Sequence, residues 1–330
     1  MSQKSTNNHV NVFVPFVPFC GTFSRGSAAV GGFVWLVLLP AVTADAPERE
    51  LIHKVVLFGM LVIVPLGISL VQPHDRRTAA IYRLVVFAQP VAALLAVASF
   101  FFETGPLAAS LSSAWFVLTL LVALFGLARL RSRGLSPVAE LSIDAGLLYL
   151  TVAGVWLVIY RLGIQPFDYG ETIILLTVVH FHFAGFAAPI IAGMNGRVLR
   201  ERRHPHKIFA ASVFGIVAAM PLVAAGITFS PWIGFIGTLL LAAGLVLLAV
   251  LTVGWVMQTL PLGKRLLLLV GALSSCTAMA LACLYAYSLA TKTLILNIPT
   301  MAMTHGLLNA FGFVTCNLIA WWGARDSNPP

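Results

Sequence analysis

The sequence predicts an all-α, polytopic transmembrane bundle of about ten spanning helices with both termini cytoplasmic. Three observations carry that reading. Hydrophobic residues make up 59% of the 330 residues and charged residues only 9%, with a mean hydropathy of +0.96, beyond what a water-facing surface tolerates. The apolar residues fall into runs of about 20, the length that crosses a hydrocarbon core of roughly 30 Å. The basic residues alternate between connections, as cytoplasmic retention of Lys and Arg requires.

The first run, near 27–43, follows an N-terminal cytoplasmic segment, 1–26, that holds Lys4 and Arg25. Arg25, the apolar run and Ala44-Asp45-Ala46 together resemble a signal peptide. Retention is expected instead, because the region before Arg25 is long and loss of this helix would put the two termini on opposite sides. Runs near 51–71 and 81–102 come next, the latter closing at Glu103. The fourth, 110–130, ends among Arg129, Arg131 and Arg133, and the fifth, 141–162, carries Asp144 about one turn inside its start. The sixth, 172–194, holds the stretch VHFHFAGF and runs into the basic loop NGRVLRERRHPHK, where His204 and His206 are expected to be solvated. Runs 207–228 and 231–257 are joined by Phe229-Ser230-Pro231 with no charge on either flank. Small residues over Ala210 to Gly237 predict close packing between those two. Runs 265–290 and 301–323 complete the single transmembrane domain, 27–323, and a short tail occupies 324–330.

Sixteen of the twenty Lys and Arg fall on the side of the termini and even-numbered loops, and four on the other. That distribution, with no aromatic residues interleaved in a polar patch, assigns the net charge of +9 to membrane topology and excludes nucleic acid as a partner. The expected location is the inner, cytoplasmic membrane, with lipids as the surroundings. Cys20, Cys276, Cys283 and Cys316 have no metal or redox spacing, and Cys276 and Cys283 lie too far apart along one helix to be bridged. No internal repeat is evident in the sequence.

An ionisable side chain inside a span costs a few kcal/mol and is a functional candidate by default. In the sixth run, Glu171 stands at the entrance and His180 lies about 13 Å deeper by helical rise. His182 is rotated about 200° from His180 on an ideal helix, so the two imidazoles share one ligand only if the helix distorts. Pro189, whose ring clashes with the carbonyl of Gly185, is the expected source of distortion. In the last run His305 and Asn309 are four apart and share a face, extended by Met301 and Cys316, while Gly306 and Gly312 would admit a neighbouring backbone. A lone buried histidine is more often a satisfied core residue. Three at overlapping depths, with Asn309 and carboxylates at Glu171 and Glu103, point to a site.

The segment VHFHFAGF and the pattern MxxxHGxxNAxGF at 301–313 resemble the YndJ-like bacterial membrane proteins. The resemblance implies that these histidines, the glycines and Asn309 belong together. It implies no activity.

The expected function is that of an intramembrane enzyme using His and carboxylate acid–base chemistry on a lipophilic small molecule, such as an isomerase or cyclase that protonates an epoxide or alkene of an isoprenoid or polyketide. Glu171, or Glu103, would exchange the proton, His180, His182 and His305 would complete the relay, and Asn309 would orient the substrate. No cofactor or metal is expected. A proton- or cation-coupled transporter is the first alternative. A His-ligated metal or haem protein is the second, disfavoured by the two-residue spacing of His180 and His182 and by the lack of the HxxxH and HxxHH clusters of membrane di-iron oxygenases.

Overall fold

The computed structural model describes residues 16–202 and 206–322. Among these the chain forms ten helical rods and no strands. They are α1 (Phe16–Leu38), α2 (Pro47–Ser69), α3 (Arg76–Ser99), α4 (Pro106–Arg133), α5 (Val138–Leu162), α6 (Glu171–Glu201), α7 (His206–Phe229), α8 (Pro231–Val256), α9 (Leu262–Thr291) and α10, which runs from Ile298 to Trp321. Eight of them, α2 to α9, are long and apolar enough to cross a membrane. The protein is a polytopic helical bundle. One boundary differs from expectation: α1 begins at Phe16, not near 27, so Arg25 sits inside the helix and donates to Thr22 Oγ1 at 3.2 Å. Lys4, His204 and Arg325 lie outside the described residues.

Two helices form the centre. The apolar window of α2 is 89% buried and that of α6 67%, against 33–50% for the other six candidate spans. A helix that is apolar all round must be surrounded by protein or lipid, and α2, nearly continuous in Val, Leu, Ile and Met from Val55 to Ile68, takes the first course. Helix α1 packs on α2, and α5 on α6; α10 touches both central helices. Toward the chain's end, α7, α8, α9 and α10 pack in sequence. The expected close packing of α7 on α8 is present at Gly226 and Gly234, where a Cβ on Gly226 would run into the Gly234 backbone. The junction falls at Ser230, as the Phe229-Ser230-Pro231 sequence implies.

Several rods contain π-helical turns: Gly59–Ile63 in α2, Phe181–Ala187 in α6, Thr252–Val256 in α8, and Ala302–Gly306 and Leu308–Thr315 in α10. The turn in α6 lies immediately before Pro189 and is the distortion that this proline imposes. Gly312 abuts Ser274 of α9, as a small residue at a helix crossing should. Gly306 does not serve that purpose, because a Cβ there would meet only its own helix at Met301 O. The four cysteines are free thiols.

Helix α3 starts with a reciprocal capping box: Thr78 N donates to Asp75 Oδ1 at 2.7 Å, and Asp75 N donates to Thr78 Oγ1 at 2.9 Å. The backbone N–H of Thr78 beside it lowers the Asp75 pKa. A depressed folded-state pKa adds stability above the unfolded value and loses it as pH falls through the folded one. Asp75→Ala is expected to cost about 0.5–2 kcal/mol at neutral pH, and the gap from wild type should narrow in thermal melts taken in increasingly acidic buffer.

Candidate functional site: an intramembrane histidine crevice

The run VHFHFAGF separates its two histidines. His182 is fully buried and turned toward α2 and α4. Its Nδ1–H donates to Val178 O at 2.8 Å, which leaves Nε2 to accept from Trp115 Nε1–H at 3.2 Å, and the two rings stack with centroids 5.7 Å apart. Gly59 of α2 is the floor under the imidazole, since a Cβ there would meet the His182 ring carbons at 3.3–3.4 Å. Both nitrogens are used within the protein. His182 is a packing and hydrogen-bonding post between helices.

His180 has the opposite environment. Its side chain is accessible and faces the gap, a crevice, between α6 and α10. The stretch of α6 that carries it, Glu171–His180, packs mainly on α2 and α5, and the main contact with α7 and α10 begins only in the π-turn. Nδ1–H donates to Leu176 O at 2.6 Å. That tautomer leaves Nε2 as a lone pair with no partner among the described residues. Across the gap stands His305 of α10, its ring centroid 6.4 Å from that of His180.

His305 is anchored on two sides. Its Nδ1–H donates to Ala278 O of α9 at 2.8 Å, and Asn309 Nδ2 lies 3.2 Å from Nε2 and 3.1 Å from His305 O. The shared face expected from the four-residue spacing is therefore a hydrogen-bonded pair. Beyond it, Phe311 packs on Phe58 and Trp35, with centroids 4.9 and 5.9 Å away, so an aromatic wall stands near the pair.

The carboxylates do not join this group. Glu171 pairs with Arg49 of α2 at 3.0 Å, and Arg49 also holds Asp45 at 2.9 Å, at the rim where α6 begins. Glu103 is exposed in the turn between α3 and α4. Of the residues singled out from sequence, the fold thus brings His180, His305 and Asn309 together and keeps His182, Glu171 and Glu103 apart from them. Among the described residues no three His, Cys, Asp or Glu side chains converge as metal ligands.

Two polar clusters escaped the sequence reading. At the Glu171 rim, His53 is buried with its Nε2 2.6 Å from Tyr160 Oη, and buried Arg161 caps the end of α3 by donating to Ser99 O and Phe102 O at 2.8 and 2.6 Å. At the opposite rim, Arg129 is wholly buried and bonded to Asp144 at 2.7 Å, to Glu140 at 2.6 Å and to Gln72 O. Arg133 also holds Asp144, and Arg197 forks onto Glu140 at 2.5 and 2.9 Å while reaching Leu70 O. Asp144, one turn inside the fifth run, is one part of this network. The available signal was helical spacing: Arg129 and Arg133 are four apart, as are Glu140 and Asp144, so each pair lines one face.

A family described as YndJ-like protein matches residues 54–313. The chain belongs to the YndJ-like family. A Bacillus subtilis (strain 168) relative named "Uncharacterized membrane protein YndJ" is 30% identical over 297 residues, which cover 89% of this chain and 52% of the relative. The chain therefore spans about half the length of that relative. No solved structure matches. The family match takes in α3 to α9 complete, with most of α2 and the His305–Asn309 pair of α10, so both walls of the crevice fall within the family's own extent.

Proposed function

We propose that this YndJ-like protein is an integral membrane enzyme that moves a proton within a lipophilic substrate, as an isomerase or cyclase does. The observation that carries the reading is the accessible His180, its Nε2 without a partner among the described residues, facing the His305–Asn309 pair across the gap between α6 and α10. A neutral imidazole with Nδ1 tied to the backbone is a base at Nε2. It takes a proton from one carbon of the substrate and returns it to another, so the reaction needs no outside oxidant or reductant. Asn309, whose Nδ2 is held by His305 Nε2 and O, turns its Oδ1 acceptor to a substrate hydroxyl and holds the reacting end in place. A crevice within the hydrocarbon zone keeps water from the intermediate. In this reading Glu171 and Glu103 take no part in the chemistry.

The same proposal includes ten crossings of the inner membrane with both termini cytoplasmic, supported by the even number of rods and by the concentration of Lys and Arg at the Arg129 rim. The crevice then opens in the outer half. The asymmetry between an accessible His180 and an opposite rim closed by ion pairs favours one other reading, proton-coupled transport. Uptake by reconstituted vesicles that follows an imposed pH gradient would replace the enzyme reading with that one.

The direct test incubates membranes holding wild type or His180→Ala in deuterated water with the host's total lipid extract. The expected result is an isomeric product of shifted retention in wild type alone, one mass unit heavier where the base exchanges its proton with the deuterated solvent before returning it. Identical lipid profiles for the two proteins would refute the assignment.

A further inference from the structure

The last turns of α6 and the start of α5 enclose a cavity of about 390 Å³ at the Arg129 rim, lined by Pro137, Ala139, Glu140, Arg197, Arg200 and Glu201. That volume lies within the range of small-molecule sites, about 300–1,000 Å³. Both stretches are the ends of membrane-length helices, Val138–Leu162 and Glu171–Glu201. The cavity therefore stands at the level where hydrocarbon gives way to water.

Two of its four charges are already committed. Arg197 forks onto Glu140 at 2.5 and 2.9 Å, and Arg129 holds the same carboxylate at 2.6 Å from the interior, so this side is a fixed, neutralised wall. Arg200 and Glu201 differ. Both are exposed, and neither side chain has an ion pair or hydrogen bond among the described residues. Consecutive positions on a helix project about 100° apart and do not face each other, so these two do not neutralise one another. The cavity thus offers one spare cation and one spare anion at headgroup depth.

We propose that this cavity holds the headgroup of a zwitterionic aminophospholipid, its phosphate on Arg200 and its ammonium on Glu201. Pockets between span ends are where membrane proteins take lipid headgroups, and charge complementarity selects the class here. An anionic headgroup without an amine would set its phosphate against Glu201 and leave that carboxylate unmatched. A primary ammonium brings three N–H donors to the carboxylate, which a quaternary ammonium lacks. Phosphatidylethanolamine satisfies both charges. The site is separate from the His180 crevice, since Arg200 lies about 30 Å further along α6 by helical rise, and its occupancy does not depend on the chemistry assigned there.

The test is native mass spectrometry of the full chain, released from detergent micelles that contain phosphatidylethanolamine, phosphatidylcholine and phosphatidylglycerol in equal amounts. The expected result is preferential retention of one phosphatidylethanolamine by wild type and equally by His180→Ala. Arg200→Gln should weaken that retention about tenfold, the effect of losing one charge-assisted hydrogen bond. Glu201→Gln should bring phosphatidylethanolamine and phosphatidylglycerol level, a change of preference that a merely structural role would not produce. Equal retention of the three lipids by wild type, or a preference for phosphatidylglycerol, would show that Arg200 and Glu201 are solvated rim charges and would overturn the proposal. So would a phosphatidylethanolamine preference that survives unchanged in both variants. Displacement of the lipid by free O-phosphoethanolamine at matching concentration would place a soluble zwitterion in the cavity and overturn the lipid assignment.

Discussion

Arg129→Ala is expected to destabilise the protein by about 3–5 kcal/mol, the largest loss of any single rim substitution. The magnitude follows from what is left behind. Arg129 has no exposed surface and is bonded to Asp144, Glu140 and Gln72 O, so its removal strands two carboxylates in a dry interior. Arg133 remains on one oxygen of Asp144 and Arg197 on both oxygens of Glu140, which keeps the cost below that of an isolated buried charge. The pair substitution Arg129→Met with Asp144→Leu should recover much of the loss, because a buried ion pair replaced by apolar residues is often close to neutral. Thermal melts of the three proteins in one detergent decide this. Equal Tm values for Arg129→Ala and wild type would show that the network adds nothing to stability.

The second large effect separates the two histidines of VHFHFAGF. His182→Ala is expected to cost about 2–4 kcal/mol, through the cavity beside Gly59 and the buried Trp115 N–H that loses its acceptor. His180→Ala should leave the stability within about 0.5 kcal/mol of wild type, because its side chain is accessible and only its own helix holds it. Trp115 gives an internal check, since its indole fluorescence should change in His182→Ala and not in His180→Ala. A His180→Ala protein as unstable as His182→Ala would make His180 a structural residue and remove the basis for the crevice chemistry.

The bundle was legible because membrane insertion writes its rules into composition: apolar run length, basic loops and the Phe229-Ser230-Pro231 junction each have one physical cause. The pairing of His305 with Asn309 was legible for the same reason, as helical spacing alone brings them together. What spacing cannot carry is the identity of the neighbour. His182 meets Trp115, sixty-seven positions earlier in the chain, and His180 meets a residue of the last helix. Glu171 looked close to His180 along the helix, yet Arg49 holds it at the rim. Arg129 read as a rim charge because nothing local says that α2, α4, α5 and α6 close over it.

The π-turn at Phe181–Ala187 cuts α6 into two separately indexed rods. Above it the helix presents His180 to the crevice, and below it Asn195 and Arg197 engage Thr252 and Glu140. One residue gained or lost in an α-helix turns everything beyond it by about 100°, and the widened turn absorbs such a change within seven residues. The half that carries His180 can therefore drift in register and composition while the half that locks the bundle keeps its partners, a division of labour inside one continuous helix.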